Sequence, residues 1–125
     1  MPIAGLPEIH TFLESFKTAA VDSFVLMPSQ KTRDTMTTLG YYKPDVKRDI
    51  FNLKETDYSK GPLSSRGYKA NLWVFGINIS GREIYIKLEL SGFSDGGEEI
   101  PTSYCVTFHF SEHPMSYPYR QTGKE

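Results

Sequence analysis

A single cysteine, Cys105, in a chain of 125 residues rules out an intramolecular disulfide framework. It sits inside an apolar strand pattern, so it is read as a packing residue in a reducing compartment. Zinc finds no ligand set of the usual spacing either, because one cysteine and three scattered histidines (His10, His109, His113) are all that the chain offers. No apolar run approaches the length of a membrane span, and Met1 to Leu6 has neither the basic nor the apolar region of a secretory leader. The expectation is a cytoplasmic protein with no membrane partner. Cofactor motifs are missing as well. Asp57 to Pro62 lacks the spacing of a phosphate-binding Walker loop, Gly92 to Gly97 is no dinucleotide fingerprint, and Asp95, Glu98 and Glu99 are too irregular for a calcium loop. No cofactor and no metal are expected.

Net charge is scarce, a formal -1 from nearly equal numbers of bases and acids, but the two signs are unevenly spread. From Lys43 to Lys87 there are nine basic against five acidic residues, while Asp95, Glu98 and Glu99 form an acidic group beyond. Such segregation permits a phosphate-binding surface without requiring one.

The length suits one domain able to bury its own core. Leu6, Ile9, Phe12, Leu13, Phe16, Ala19 and Ala20 recur at spacings of three and four, which predicts an amphipathic helix from about Pro7 to Ala20. Ser23 to Met27 reads as one edge strand. A second helix is expected between Ser29 as N-cap and Gly40 as terminating glycine, with Met36 and Leu39 as its apolar stripe. A third starts at Pro44, with Asp45 in its first turn and Val46, Ile50 and Leu53 buried. Glu55 to Lys69 reads as a long polar loop. Three strands follow as an antiparallel meander, Asn71 to Ile79, Glu83 to Leu90 and Ser103 to Phe110, with Ser91 to Glu99 as a hairpin loop and His113 to Glu125 as an extended or frayed tail. The fold class is therefore α+β, with N-terminal helices on one face of a small antiparallel sheet. The chain divides into an N-terminal helix at 1–21, a core at 22–111 and a tail at 112–125.

Strict alternation in Glu83 to Leu90 puts Ile84, Ile86, Leu88 and Leu90 on the core face and Glu83, Tyr85, Lys87 and Glu89 on the other. In the next strand Tyr104, Val106, Phe108 and Phe110 are assigned to the core, leaving Cys105, Thr107 and His109 opposite. Paired with their apolar faces together, the two strands present Tyr85, Lys87 and His109 on one polar surface. An imidazole there is a candidate for acid-base work, since it titrates near neutral pH. In the preceding strand Trp73, Phe75, Ile77 and Ile79 are expected under the helices, with Leu72, Val74 and Gly76 facing out. Lys60, beside Gly61 in the long loop, can reach over that surface to a phosphate.

The run Leu53 to Lys60 (Leu-Lys-Glu-Thr-Asp-Tyr-Ser-Lys), Leu72-Trp73-Val74-Phe75, Ile84-Tyr85-Ile86-Lys87-Leu88 and Val106-Thr107-Phe108-His109 together resemble the MqsR-like toxins, within the RelE/ParE-like group of bacterial toxin-antitoxin systems. The resemblance covers roughly 22–110. It implies a RelE-like fold and a metal-independent endoribonuclease that cuts messenger RNA through a 2′,3′-cyclic phosphate. Its implied partners are an RNA substrate, a cognate antitoxin and the ribosome. Carried over by position, the family's loop lysine falls on Lys60, its strand tyrosine on Tyr85 and its terminal strand lysine on His109. The catalytic candidates are thus His109, Tyr85 and Lys60, with Lys87, Arg66 and Lys69 as RNA or phosphate contacts. The chain departs from the family at His109 and at Val74, where ribonuclease members carry a glutamine. Two other readings stay open: a ParE-like inhibitor of DNA gyrase, and a non-catalytic protein-binding or regulatory module.

Overall fold

A computed structural model describes residues 3–68, 70–95 and 98–120. Three helices, with the first strand of the sheet between the first and second of them, and four further strands make the protein α+β. Helix α1 (Leu6–Asp22) has Pro7 in its first turn and buries Ile9, Leu13, Phe16 and Ala20, the three-and-four spacing of one helical stripe. Phe12, on the edge of that stripe, stacks on Trp73 with centroids 4.5 Å apart. This contact locks the helix to the sheet. Helix α2 (Gln30–Leu39) begins where Ser29 accepts the Thr32 amide and ends at Gly40, whose φ of 71° is the left-handed conformation that glycine adopts without a Cβ penalty. Helix α3 (Lys43–Phe51) buries Val46 and Ile50, and Leu53 follows them into the core.

The sheet order is β1-β5-β4-β3-β2, from β1 (Phe24–Leu26), β2 (Tyr58–Leu63), β3 (Leu72–Ile79), β4 (Arg82–Asp95) and β5 (Glu98–Phe110). It is mixed, which corrects the antiparallel expectation: β1 runs parallel to β5. The parallel pair needs a long crossover, which α2, α3 and the strands β2 to β4 together supply. Since β1 covers only Ser103 to Cys105, the rest of the β5 edge needs other partners. Thr32 and Thr35 of α2 supply them, their hydroxyls accepting the Phe108 and Phe110 amides at 3.2 and 3.1 Å. These two threonines, not the Met36 and Leu39 stripe, are the buried residues of α2, while Met36 and Leu39 pack half-buried against the core.

Three further expectations are corrected. The first concerns Tyr58 to Leu63, read as part of a loop but forming an edge strand on β3. It contains Gly61 and Pro62, which an edge strand with irregular register tolerates. Gly61 is required there, because its φ is 126° and a Cβ would lie 2.9 Å from the Leu72 carbonyl oxygen. Second, the β4–β5 ladder runs on through Ser91↔Thr102 to Asp95↔Glu98, so the hairpin loop read at Ser91 to Glu99 is largely strand; Gly96 and Gly97 lie outside the described residues. Third, β5 carries a bulge. Lys87 pairs with Thr107 but Leu88 pairs with Cys105, leaving Val106 as the extra residue and inverting the alternation on its far side. Cys105 is therefore in the core and fully buried, whereas Tyr104 pairs with Glu89 on the opposite face.

The core lies between the helices and one face of the sheet, built from Ile9, Leu13, Phe16, Val46, Ile50, Trp73, Phe75, Ile84, Ile86, Leu88 and Phe108. The other face is crossed by the C-terminal segment. No helix among the described residues is long and apolar enough to cross a membrane.

Candidate functional site

Cross-strand pairing sets out the helix-free face in rows. Lys60, Val74, Lys87 and Thr107 follow one another across β2, β3, β4 and β5, and the next row is Gly76, Tyr85 and His109. Side chains that are paired in this way share a face. Alternation alone thus brings Lys60, Lys87, Tyr85 and His109 together, and all four line one cavity of about 650 Å³. Lys60 was expected to swing in from a loop. It stands instead on β2, opposite Val74, and is fixed by backbone pairing.

Two cations share this cavity without a carboxylate partner: among the described residues neither Lys60 nor Lys87 makes an ion pair. Burial, and after it the nearby Lys60 ammonium, hold the Lys87 pKa below that of an ordinary lysine. Both causes disfavour the charged form of Lys87, and a bound anion would offset them. Tyr85 is pushed the other way: burial raises its pKa, so the phenol keeps its proton and is available as a donor. Its ring stacks on His109 at 5.5 Å and 11°, with the Lys87 Nζ 5.7 Å from the tyrosine centroid.

His109 Nδ1 lies 2.9 Å from the carbonyl oxygen of Phe110. A carbonyl can only accept, so Nδ1 carries the hydrogen, and in the neutral ring the lone pair is on Nε2. The imidazole is therefore oriented by its own strand, with Nε2 as the atom for proton exchange.

The remaining walls come from the ends of the chain. Residues 111–116 and Pro118 line the cavity, together with Ile3 and Ser59. The tail, expected to be extended or frayed, is fastened at several points up to Arg120, and 121–125 lie outside the described residues. Glu83 accepts the Tyr117 hydroxyl at 2.6 Å and the Met115 amide at 3.2 Å; Arg120 pairs with Asp57 at 2.8 Å and stacks on Tyr117 at 3.7 Å; the Tyr119 hydroxyl donates to the Ala4 carbonyl at 2.6 Å. Burial, with the Glu83 carboxylate beside it, raises the Tyr117 pKa. Gly76 makes the seat possible, since a Cβ at that position would lie 2.2 Å from the Tyr117 oxygen.

This docked segment delivers His113, a second imidazole, to the cavity, a residue that the sequence placed only at the start of an extended or frayed tail. The signal that could have found it is the pairing of a glycine in a strand (Gly76) with a tail of tyrosines and prolines, which lose little entropy on docking. Glu112 also lines the cavity, but Lys31 holds it at 2.6 Å and keeps its carboxyl below the usual range. Arg66, expected as a phosphate contact, is exposed in the turn after β2 and does not line the cavity. Lys69 lies outside the described residues. Among the described residues no three His, Cys, Asp or Glu side chains converge as metal ligands.

Fold and site together define an α+β protein with a cationic, histidine-bearing cavity on the helix-free face of its sheet. No family model, no curated protein and no solved structure matches this chain.

Proposed function

We propose that the cavity binds a phosphodiester and cleaves RNA by attack of a ribose 2′-hydroxyl on its own phosphate, in the manner of the MqsR-like toxins that the sequence resembles. The observation that carries this reading is the Lys60 and Lys87 pair, two adjacent ammoniums without a counter-ion, beside an imidazole held in one tautomer. In this reading His109 Nε2 takes the 2′ proton as the 2′ oxygen bonds to phosphorus. The bond from phosphorus to the 5′ oxygen breaks, and His113, the other imidazole at the cavity, gives that oxygen its proton. The products are a 2′,3′-cyclic phosphate and a free 5′-hydroxyl. Lys60 and Lys87 stabilise the charge that develops on the phosphate oxygens, and the Tyr85 hydroxyl donates to one of them.

The same reading carries the RelE-like class of fold, a cytoplasmic setting, a cognate antitoxin that covers the cavity, and the ribosome as a further partner. It is tested by incubating purified protein with mixed-sequence RNA in EDTA and analysing the product ends. Cyclic-phosphate ends that disappear with His109→Ala support it. Intact RNA with both proteins, in the presence and absence of ribosomes, removes the ribonuclease and leaves gyrase inhibition or protein binding.

A further inference from the structure

The C-terminal segment is built into the cavity more firmly than a closing tail requires. Its clasp is two-pronged: one carboxylate, Glu83, holds both the Met115 amide and the Tyr117 hydroxyl, and Arg120 closes over the Tyr117 ring. These bonds fix the backbone, and the Tyr117 hydroxyl also reaches the Met115 Sδ at 3.6 Å. Met115, Pro118 and Ile3, the last 54 % exposed, are apolar residues lining the cavity. The lining is thus apolar at these three residues, its apolar wall, and cationic at Lys60 and Lys87.

Resting on the reading above, we propose that this wall is a nucleobase seat, so that the site takes one unpaired nucleotide with its phosphate on Lys60 and Lys87 and its base against Met115, Pro118 and Ile3. The volume of about 650 Å³ lies within the range of small-molecule sites, roughly 300–1,000 Å³. A thioether beside two aliphatic groups suits the face of any base, since it is polarisable and makes favourable contacts with aromatic rings. A base seated there has left its stack, which restricts the substrate to single-stranded segments; paired RNA presents its phosphates with the bases turned inward.

The test is calorimetric titration of the full chain with adenosine 3′-monophosphate, uridine 3′-monophosphate and inorganic phosphate. Both nucleotides are expected to bind about 10-fold or more tightly than phosphate, the ratio that one added apolar contact surface supplies. Met115→Ala removes the Sδ that accepts the Tyr117 hydroxyl at 3.6 Å but keeps the Met115 amide and that hydroxyl bonded to Glu83; it should lower nucleotide affinity about 5-fold while phosphate affinity stays as it was. Gly76→Ala, which evicts Tyr117, should reduce nucleotide binding to the level of phosphate. Equal affinity for nucleotides and phosphate in the native protein, or a nucleotide preference unchanged by both substitutions, overturns the base seat and leaves the phosphate site standing. Binding of none of the three probes overturns the phosphodiester reading itself.

Discussion

The rings of Tyr85 and His109 lie nearly parallel, 5.5 Å between centroids, on neighbouring strands whose register pairs the two residues directly. The stack holds the imidazole plane, and the Phe110 carbonyl holds its tautomer. Orientation and proton transfer are therefore separable by substitution. His109→Phe preserves an aromatic partner for Tyr85 and should keep the native thermal midpoint, while cleavage falls by about 100-fold or more, the usual contribution of a positioned acid-base group. His109→Ala should lose the same activity with RNA binding little changed. Cleavage at the native rate by either variant would falsify a proton-transfer role.

In the proposed ribonuclease Lys60 acts on the substrate as well as on Lys87. Replacing Lys60 by Ala removes one cation and the repulsion it exerts on its neighbour. RNA affinity should fall, and the slope of log K against log salt should become shallower by about 0.7, the value for one lost contact to a single strand. Arg66→Ala, at a residue that does not line the cavity, should leave that slope unchanged. Equal slopes for the Lys60 variant and the native protein would remove Lys60 from phosphate contact.

The seat of the C-terminal segment predicts a local effect. Gly76→Ala places a methyl group where the Tyr117 hydroxyl lies, so the tail must lift while the core face of β3 is untouched. Hydrogen exchange of the Met115 and Arg120 amides, both bonded within this seat, should accelerate with little change in β4 and β5. Unchanged exchange at these two amides would show that the tail is held elsewhere.

Thr32 is buried in α2 as the acceptor of the Phe108 amide. Thr32→Val keeps the shape and removes the acceptor, leaving a buried donor unsatisfied at a cost of about 1–3 kcal/mol. Thr32→Ser keeps the oxygen and should lose much less. Urea denaturation of the two variants checks the difference, and equal midpoints would assign the edge protection of β5 to something other than this hydroxyl.

Stability should fall on the alkaline side. Burial pushes the Cys105 thiol from its ordinary 9.0 up to about 12, so the folded chain keeps a proton that the unfolded chain releases. The stabilisation is complete below about pH 9 and is lost as pH rises from there towards 12. Tyr58 and Tyr85, both raised from 10.0 by burial, add to the decline above pH 10. Thermal midpoints should stay level from pH 8 to about 9 and drop from there to pH 11, and Cys105→Ala should flatten the segment from pH 9 to 10. A flat native profile over the whole range would contradict the burial of these protons.

Much of this protein was determined locally. Ser29 and Gly40 bound α2 because a side-chain acceptor and a left-handed glycine act within one turn of chain. The alternation from Glu83 to Leu90 assigned Tyr85 and Lys87 to the helix-free face, because a strand alternates whatever it pairs with. His109 joined them for the same reason, being on the unbulged side of Val106.

What tertiary structure alone decided are the contacts between distant segments. The parallel docking of β1, the bulge that carries Cys105 into the core, the acceptance of Gly61 and Pro62 into an edge strand, and the clasp of Glu83 on Met115 and Tyr117 each depend on a partner far along the chain. Periodicity reports how a segment can divide its faces. It carries no information on which neighbour satisfies the backbone, and at Val106 and Gly76 that neighbour determines which side chains reach the cavity.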